Sequence, residues 1–148
     1  MQPTLRGRAL RLLARREFSR QELERRLRAY SASSAELDTL LDDLVQRGWL
    51  SDTRYADALV RKRSGQFARR AIAQELKQAG VEEDVAAAVL APADPDEEFA
   101  AALALCQRKF HRAPLDQKEK TRQIRFLQSR GYSLSLALRV IRGEYDDS

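Results

Sequence analysis

Apolar residues along this chain recur at the spacing of one face of an α-helix. The clearest run holds four leucines at i, i+3, i+4 and i+7: Leu37, Leu40, Leu41 and Leu44. Such spacing is typical of an amphipathic helix with one buried stripe. No segment shows convincing alternation with a period of two, so the sequence predicts helices and no sheet.

Capping residues and glycines divide this pattern into separate helices. Ser19-Arg-Gln-Glu22 and Ser33-Ser-Ala-Glu36 are capping boxes, in which the hydroxyl and the carboxylate each satisfy a free backbone N–H. Gly48, Gly80 and Gly131 mark helix ends, because glycine readily takes the left-handed conformation that stops a helix. We predict nine helices, which begin near Thr4, Ser19, Ser33, Ser51, Ala68, Val85, Asp94, Asp116 and Ser133.

The helical pattern also repeats. Leu23 and Leu27 of the second helix are matched by Ile72 and Leu76, 49 positions later. Periods of this size are typical of tandem helical units that bury one another's apolar faces. We therefore predict an all-α fold of three tandem three-helix repeats in an elongated, curved array. The predicted segments are repeat 1 at residues 1–50, repeat 2 at 51–92, repeat 3 at 93–143 and an acidic tail at 144–148.

The stretch from Arg47 to Arg63 holds the joint between the first two repeats. We expect Trp49 and Leu50 to be structural residues there, wedging the two repeats together. Tyr30 and Tyr55 lie on apolar helical stripes, so we expect both rings to face the core.

Charge is arranged in blocks along the chain. The net charge is +5, but the basic and acidic residues alternate in runs. The runs are residues 1–30 with nine Arg and three acids, 31–60 with two Arg and six acids, 61–80 with six bases and one acid, 81–100 with seven acids and no base, and 101–142 with ten bases and two acids. This alternation favours a polyanionic or charge-patterned partner, although ordinary solvated helix faces are the alternative.

The sequence offers little for catalysis. It has no phosphate-binding loop motif, and with one histidine, His111, and one cysteine, Cys106, we expect no metal site and no internal disulfide. No serine has a nearby base that would activate it. We therefore predict no catalytic residue and no cofactor. The chain has no apolar run of about 18 residues and no signal-peptide pattern at its N-terminus, so we expect a cytoplasmic protein with no membrane partner. We also expect the protein to be a monomer.

Binding is the function that remains. In each predicted repeat the middle helix, or the segment leading to it, is basic, and stacked repeats would place these clusters along one strip. Phosphates and acidic protein surfaces both suit such a strip. The candidate contact residues for a partner or for DNA are Arg25, Arg26, Arg61, Arg63, Arg69, Arg70, Arg122, Arg125 and Arg130.

Four segments of the sequence resemble the RecX family of bacterial regulatory proteins. They are Ala9-Leu-Arg-Leu-Leu-Ala-Arg-Arg-Glu-Phe-Ser-Arg-Gln-Glu-Leu23, Gly48-Trp-Leu-Ser-Asp-Thr-Arg-Tyr-Ala56 with Val60-Arg-Lys-Arg63, Ile72-Ala-Gln-Glu-Leu-Lys-Gln-Ala-Gly-Val81 and Arg125-Phe-Leu-Gln-Ser-Arg-Gly-Tyr-Ser133. The segments follow the family's order and span nearly the whole chain.

The resemblance implies a tandem three-helix fold and a non-enzymatic role. Proteins of this family bind the RecA filament on single-stranded DNA and inhibit its recombinase, ATPase and co-protease activities, which modulates DNA repair, homologous recombination and the SOS response. Two other interpretations stay open on the residues alone. The chain is either a helical protein that binds DNA directly and non-specifically, or a structural scaffold of stacked helices.

Overall fold

The structure, a computed structural model, describes residues 2–143. The acidic tail predicted at residues 144–148 lies outside the described residues. The helices are α1 (Leu5–Arg15), α2 (Arg20–Leu27), a 3-10 turn (Arg28–Tyr30), α3 (Ser34–Gln46), α4 (Asp52–Arg63), α5 (Arg69–Gln78), α6 (Glu83–Val89), α7 (Pro95–Phe110), α8 (Gln117–Ser129) and α9 (Leu134–Arg142). Residues 2–143 contain no strand, and the prediction of an all-α chain is confirmed.

Most predicted helix starts are built as the sequence indicates, although α6 begins at Glu83 rather than near Val85. The capping box predicted at Ser33 is only half formed, because the Ser33 hydroxyl accepts the Glu36 N–H at 3.1 Å but the Glu36 carboxylate accepts the N–H of Ala32, at 2.8 Å. At α2 the Ser19 hydroxyl accepts the Glu22 N–H at 3.0 Å, and the Glu22 carboxylate accepts the Ser19 N–H at 3.2 Å. At α4 the Ser51 hydroxyl accepts the Arg54 N–H at 3.2 Å. The carboxylate of the neighbouring Asp52 accepts the backbone N–H of Arg20 at 2.8 Å. Its carboxylate therefore serves the first turn of α2, where free N–H groups favour an anion.

The chain falls into two compact units. Unit 1 comprises residues 1–62 and 75–89, and unit 2 comprises residues 63–74 and 90–148. Since the division passes through α5, this helix contributes residues to both units. The repeat boundaries at 50/51 and 92/93 stay a prediction.

Each unit has its own apolar core. The core of unit 1 is rich in leucine, and its buried members are Ala9, Phe18, Leu23, Leu27, Leu37, Leu41, Leu44 and Leu50. The core of unit 2 forms where α7, α8 and α9 meet, and its buried members are Ala68, Ala102, Leu105, Cys106, Leu127, Tyr132, Leu136, Ala137 and Val140. Burial of these stripes supplies the main drive for helix formation, because helices this short are marginal in isolation.

Two aromatic residues that we expected in the core lie at the surface instead. Trp49 is 45% exposed, whereas its neighbour Leu50 is 1% exposed. The N–H groups of both residues bond to the Leu44 carbonyl, at 3.0 and 3.2 Å, and this tight turn directs one side chain inward and the other outward. The prediction that Leu50 is a buried structural residue is confirmed, whereas the buried wedge predicted at Trp49 is wrong. That Leu50 joins the two repeats stays a prediction, because its core cluster consists of residues from the first predicted repeat.

Tyr30 is the second such residue, with 56% of its surface exposed. The helix tightens into a 3-10 turn over Arg28–Tyr30. Because a 3-10 helix has about three residues per turn, fewer than an α-helix, it rotates the Tyr30 ring away from the apolar stripe that an α-helix would continue. The guanidinium of Arg8 covers one side of the ring, 3.9 Å from its centroid. None of the helices within residues 2–143 is long and apolar enough to cross a membrane.

Candidate partner interface

Two turns of unit 2 lie against each other. One turn joins α4 to α5 (residues 64–68) and the other joins α8 to α9 (residues 130–133). The Ala68 N–H donates to the Arg130 carbonyl at 2.7 Å. Gly131 has a φ of +98°, and a Cβ placed on it would lie 2.6 Å from the Cβ of Ala71. The close approach therefore requires glycine.

Arginines fix this contact by bonding to backbone carbonyls. Arg70 donates from Nε and Nη2 to the Gly131 carbonyl, at 3.1 and 2.6 Å. In the opposite direction Arg130 donates to the Gln66 carbonyl at 3.0 Å. A third arginine, Arg108 of α7, donates to the Gly65 carbonyl at 2.7 Å. We call Arg70, Arg108, Arg130 and these two turns the arginine clasp.

Aromatic rings place further cations beside the clasp. Arg63 and Arg130 lie over the ring of Phe67, with guanidinium carbons 5.3 and 4.8 Å from its centroid. Phe110 and Phe126 pack edge to face with centroids 5.4 Å apart. Three cations lie over these two rings: Arg122 over Phe110, and Arg130 and Lys109 over Phe126. Unit 2 thus brings together four predicted contact residues, Arg63, Arg70, Arg122 and Arg130.

The clasp leaves donors available to a ligand. An arginine carries five N–H donors, and the bonds to carbonyls and the ring contacts occupy only some of them on each side chain. A guanidinium held in place loses less conformational entropy when it binds a phosphate or carboxylate. The arrangement is therefore suited to hold an anionic surface.

The two remaining candidates in unit 2, Arg69 and Arg125, make no side-chain contact with the clasp within residues 2–143. Arg69 donates from Nε to the Ala91 carbonyl at 2.6 Å. Arg125 is exposed and, among residues 2–143, has no hydrogen bond, ion pair or ring contact. Both side chains offer charge to solvent without belonging to the clasp.

The candidates in unit 1 are more scattered in their contacts. Arg25 makes one long hydrogen bond, 3.4 Å, to the Gln78 carbonyl. Arg26 lies over the ring of Phe18 at 5.7 Å, and Arg61 forms an ion pair with Asp57 at 3.0 Å. Among residues 2–143, no contact joins these three arginines into one cluster.

Unit 1 has a counterpart of the arginine clasp, built from different chemistry. The Ser19 hydroxyl donates to the Ala79 carbonyl at 2.6 Å, and Ser19 is completely buried. Gly80 has a φ of +80°, and a Cβ on it would overlap the side chain of Gln21. We call Ser19, Gln21, Ala79 and Gly80 the serine clasp. In both clasps the start of a middle helix meets the end of a later one.

Sequence reasoning missed Arg108 and Lys109 as members of the basic surface. Both occupy the last turn of α7, where the helix dipole favours a cation. From the sequence alone, their charge is therefore explained by the end of the helix. The signal that could have indicated more was their place in the strongly basic run that begins at residue 101.

The described residues contain no group of three or more His, Cys, Asp or Glu that could hold a metal ion. Cys106 is buried, and its thiol lies 3.6 Å from the side-chain oxygen of Gln123. Burial raises the pKa of the Cys106 thiol, which disfavours the thiolate that a nucleophile requires.

His111 ends α7 in the left-handed conformation with a φ of 63°, a structural role that the sequence did not indicate.

Comparisons with known proteins agree with this architecture. Residues 51–90 match the family model described as RecX, second three-helix domain, and residues 96–141 match that of RecX, third three-helix domain. Two solved structures share the fold. The crystal structure of RecX from Lactobacillus salivarius has a TM-score of 0.69 at 17% identity, and the match covers 94% of this chain and 93% of the chain in that structure. A crystal structure of regulatory protein RecX has a TM-score of 0.70 at 19% identity, and the match covers 94% of this chain and 70% of the chain in that structure.

Sequence relatives extend the match to nearly the full length. Regulatory protein RecX of Chromobacterium violaceum is 40% identical over 144 residues, which cover 97% of this chain and 93% of the relative. Regulatory protein RecX of Neisseria meningitidis serogroup B is 36% identical over 146 residues, covering 99% and 94%. The prediction of a helical repeat fold is confirmed, and the chain belongs to the RecX family of regulatory proteins.

Proposed function

We propose that this chain is a non-enzymatic regulator that binds RecA filaments on single-stranded DNA and inhibits their recombinase, ATPase and co-protease activities. It would act in the cytoplasm as a monomer, in DNA repair, homologous recombination and the SOS response. Membership of a family of regulatory proteins over 97% of the chain carries the proposal. The basic surface around the arginine clasp supports it, because a filament built on DNA presents both phosphates and charged protein.

The filament contact is proposed to use the nine arginines named from the sequence. Within this set we assign the leading role to Arg63, Arg70, Arg122 and Arg130, which unit 2 holds close to one another. Arg125 is the most direct probe of binding alone, because replacing it breaks no contact among the described residues.

The test is the DNA-dependent ATPase of RecA, measured with increasing amounts of this protein up to an equimolar ratio. We expect the rate to fall. The variant Arg125→Glu should weaken the inhibition while keeping the melting temperature of the wild type. An unchanged ATPase rate at equimolar wild-type protein would contradict the proposed function.

The second candidate function is direct, non-specific binding of DNA by the basic helices. Arginines held by carbonyls and rings can contact phosphates without reading bases, so such binding should weaken steeply with salt. Gel shifts of naked duplex, naked single strand and RecA-coated strand separate the candidates. Tight binding to naked duplex together with no preference for RecA-coated DNA would favour the second candidate.

A further inference from the structure

Helix α1 of unit 1 carries an arginine row that the filament proposal does not use. The helix contains four arginines and no acid. Three of these, Arg8, Arg11 and Arg15, follow at i, i+3 and i+7, so they share one face and step along it by about one helical turn. Arg11 and Arg15 are exposed, and Arg8 is half-buried.

No acid neutralises this row within residues 2–143. The other two arginines next to this segment each have a carboxylate: Arg6 pairs with Asp43 at 2.8 Å, and Arg16 with Glu22 at 3.2 Å. By contrast, Arg8, Arg11 and Arg15 form no ion pair with any described residue. The three arginines therefore place positive charge along one face of α1 with no described acid paired to it, and such a face attracts an anionic ligand.

An exposed aromatic ring lies at one end of the row. The Arg8 guanidinium covers Tyr30 at 3.9 Å, yet 56% of Tyr30 remains exposed. A flat ring beside arginines is the combination that single-stranded nucleic acid uses, because unpaired bases stack on aromatic faces while guanidinium groups bind the phosphates. An acidic protein surface would need the arginines alone and would gain little from the ring.

We infer that the α1 face formed by Arg8, Arg11, Arg15 and Tyr30 binds a single strand of DNA, with phosphates on the arginines and an unpaired base on the ring. Because it names a DNA-contacting surface for a protein acting on DNA-borne filaments, the inference rests on the proposed function. It concerns residues outside the nine assigned to the filament contact. Duplex DNA fits less well, because its bases are already stacked and paired.

The experiment measures fluorescence anisotropy of labelled oligo(dT) without RecA. The variant Arg8→Gln/Arg11→Gln/Arg15→Gln should lower the affinity by more than about tenfold and reduce the salt dependence by about two in log–log slope, since each single-strand phosphate contact contributes about 0.7. Tyr30→Leu should lower the affinity about fivefold or more, and Tyr30→Phe should restore it.

A matched control removes three arginines that already have acids: Arg28→Gln/Arg47→Gln/Arg54→Gln. It changes the net charge equally and should lower the affinity far less. An equal loss in both triple variants would overturn the inference, because it would mean that overall charge rather than this face binds DNA. Normal binding by Tyr30→Leu, combined with displacement of oligo(dT) by polyglutamate, would indicate an acidic protein partner and would also overturn it.

The same variants separate this inference from the proposed function. If wild-type protein inhibits RecA ATPase and the α1 variants bind oligo(dT) normally, the inference fails and the proposed function stands. If the α1 variants lose oligo(dT) binding while wild-type protein leaves the ATPase unchanged, the proposed function fails and the α1 face remains a strand-binding surface. Melting temperatures equal to that of the wild type confirm that each variant is folded.

Discussion

The serine clasp of unit 1 and the arginine clasp of unit 2 solve the same packing problem with opposite chemistry. Each brings the start of a middle helix against a glycine that ends a later helix. In unit 1 the contact depends on a neutral hydroxyl, completely buried at Ser19. In unit 2 it depends on charged side chains that remain partly in solvent, chiefly Arg70 and Arg130, and on close contact between Gly131 and Ala71.

The difference in chemistry between the two clasps gives them different roles: the serine clasp contributes to stability, and the arginine clasp can also contact a partner. A buried hydroxyl bonded to a carbonyl contributes to folding and offers nothing to a partner. An arginine that bonds to a carbonyl at the surface contributes less to folding, because solvent screens it, but it holds its remaining donors toward any ligand. We therefore expect changes in the serine clasp to alter unfolding alone, and changes in the arginine clasp to alter both unfolding and binding.

The largest expected effect is at the glycine of the arginine clasp. Gly131→Ala should lower the free energy of unfolding by about 3 kcal/mol, because the new methyl group would overlap Ala71 in addition to straining a positive φ. Urea unfolding followed by circular dichroism measures the change.

Gly65→Ala is the matched control for this substitution. Gly65 also has a positive φ, but a Cβ there would meet nothing within 4 Å, so the cost should be about 1 kcal/mol of strain. Equal destabilisation by the two substitutions would mean that the close approach to Ala71 does not contribute to the clasp.

Next in size is the serine clasp. Ser19→Ala should lower the free energy of unfolding by about 2 kcal/mol, because it removes both the cap of α2 and the buried bond to the Ala79 carbonyl. Ser133 caps α9 through Leu136, and among the described residues no second bond of its hydroxyl is present. Ser133→Ala should therefore cost about 1 kcal/mol. If Ser133→Ala proves as costly, Ser19 acts as a cap and nothing more.

A smaller effect on stability, with a larger one on binding, is expected at Arg130. Arg130→Gln should cost about 1 kcal/mol through lost contact with the Gln66 carbonyl and two rings, and it should weaken inhibition of RecA ATPase severalfold. Arg25→Gln is the comparison in unit 1, where a single exposed bond of 3.4 Å is lost. Its unfolding should match the wild type within error. A stability loss at Arg25 equal to that at Arg130 would remove the distinction between the clasps.

The smallest effect on the free energy of unfolding is expected at the ion pair between Arg6 and Asp43, which lies outside both clasps. Hydrogen bonding from Arg6 holds the pKa of the Asp43 carboxyl below its usual value of 3.8. Asp43 therefore stabilises unit 1 at neutral pH, and this contribution is lost as the pH falls through the lowered pKa. Asp43→Asn should differ only slightly from the wild type near neutral pH, and the two unfolding curves should converge in acid. A large difference near neutral pH would mean that surface ion pairs, rather than the serine clasp, hold unit 1.

The helices could be predicted from the sequence because their signals are local. Ser19, Ser33, Asp94, Asp116 and Ser133 each cap the helix expected of them, since a cap and its N–H partner lie within three residues. The all-α class and the helical repeats followed from the same local spacing.

The clasps could not be predicted, because their partners are distant along the chain. Ser19 and Ala79 are 60 residues apart, and Arg70 and Gly131 are 61 apart. Periodicity assigns a residue to a face but does not say which carbonyl that face will meet. The prediction that the rings of Trp49 and Tyr30 face the core was wrong for a related reason. Turn geometry, rather than helical spacing, decides the direction of these two side chains.

The passage of the unit boundary through α5 limits how this chain can be divided. Unit 1 includes the segment 75–89 in addition to its N-terminal 62 residues, and unit 2 includes the segment 63–74. A fragment that ends at residue 62 would lack Ala79, the acceptor of the Ser19 hydroxyl, and residues 51–90 alone would carry parts of both units and all of neither. Because each unit is discontinuous in sequence, no single cut separates the residues of one unit from those of the other, and the contributions of the two units are best separated by point substitution in the full-length chain.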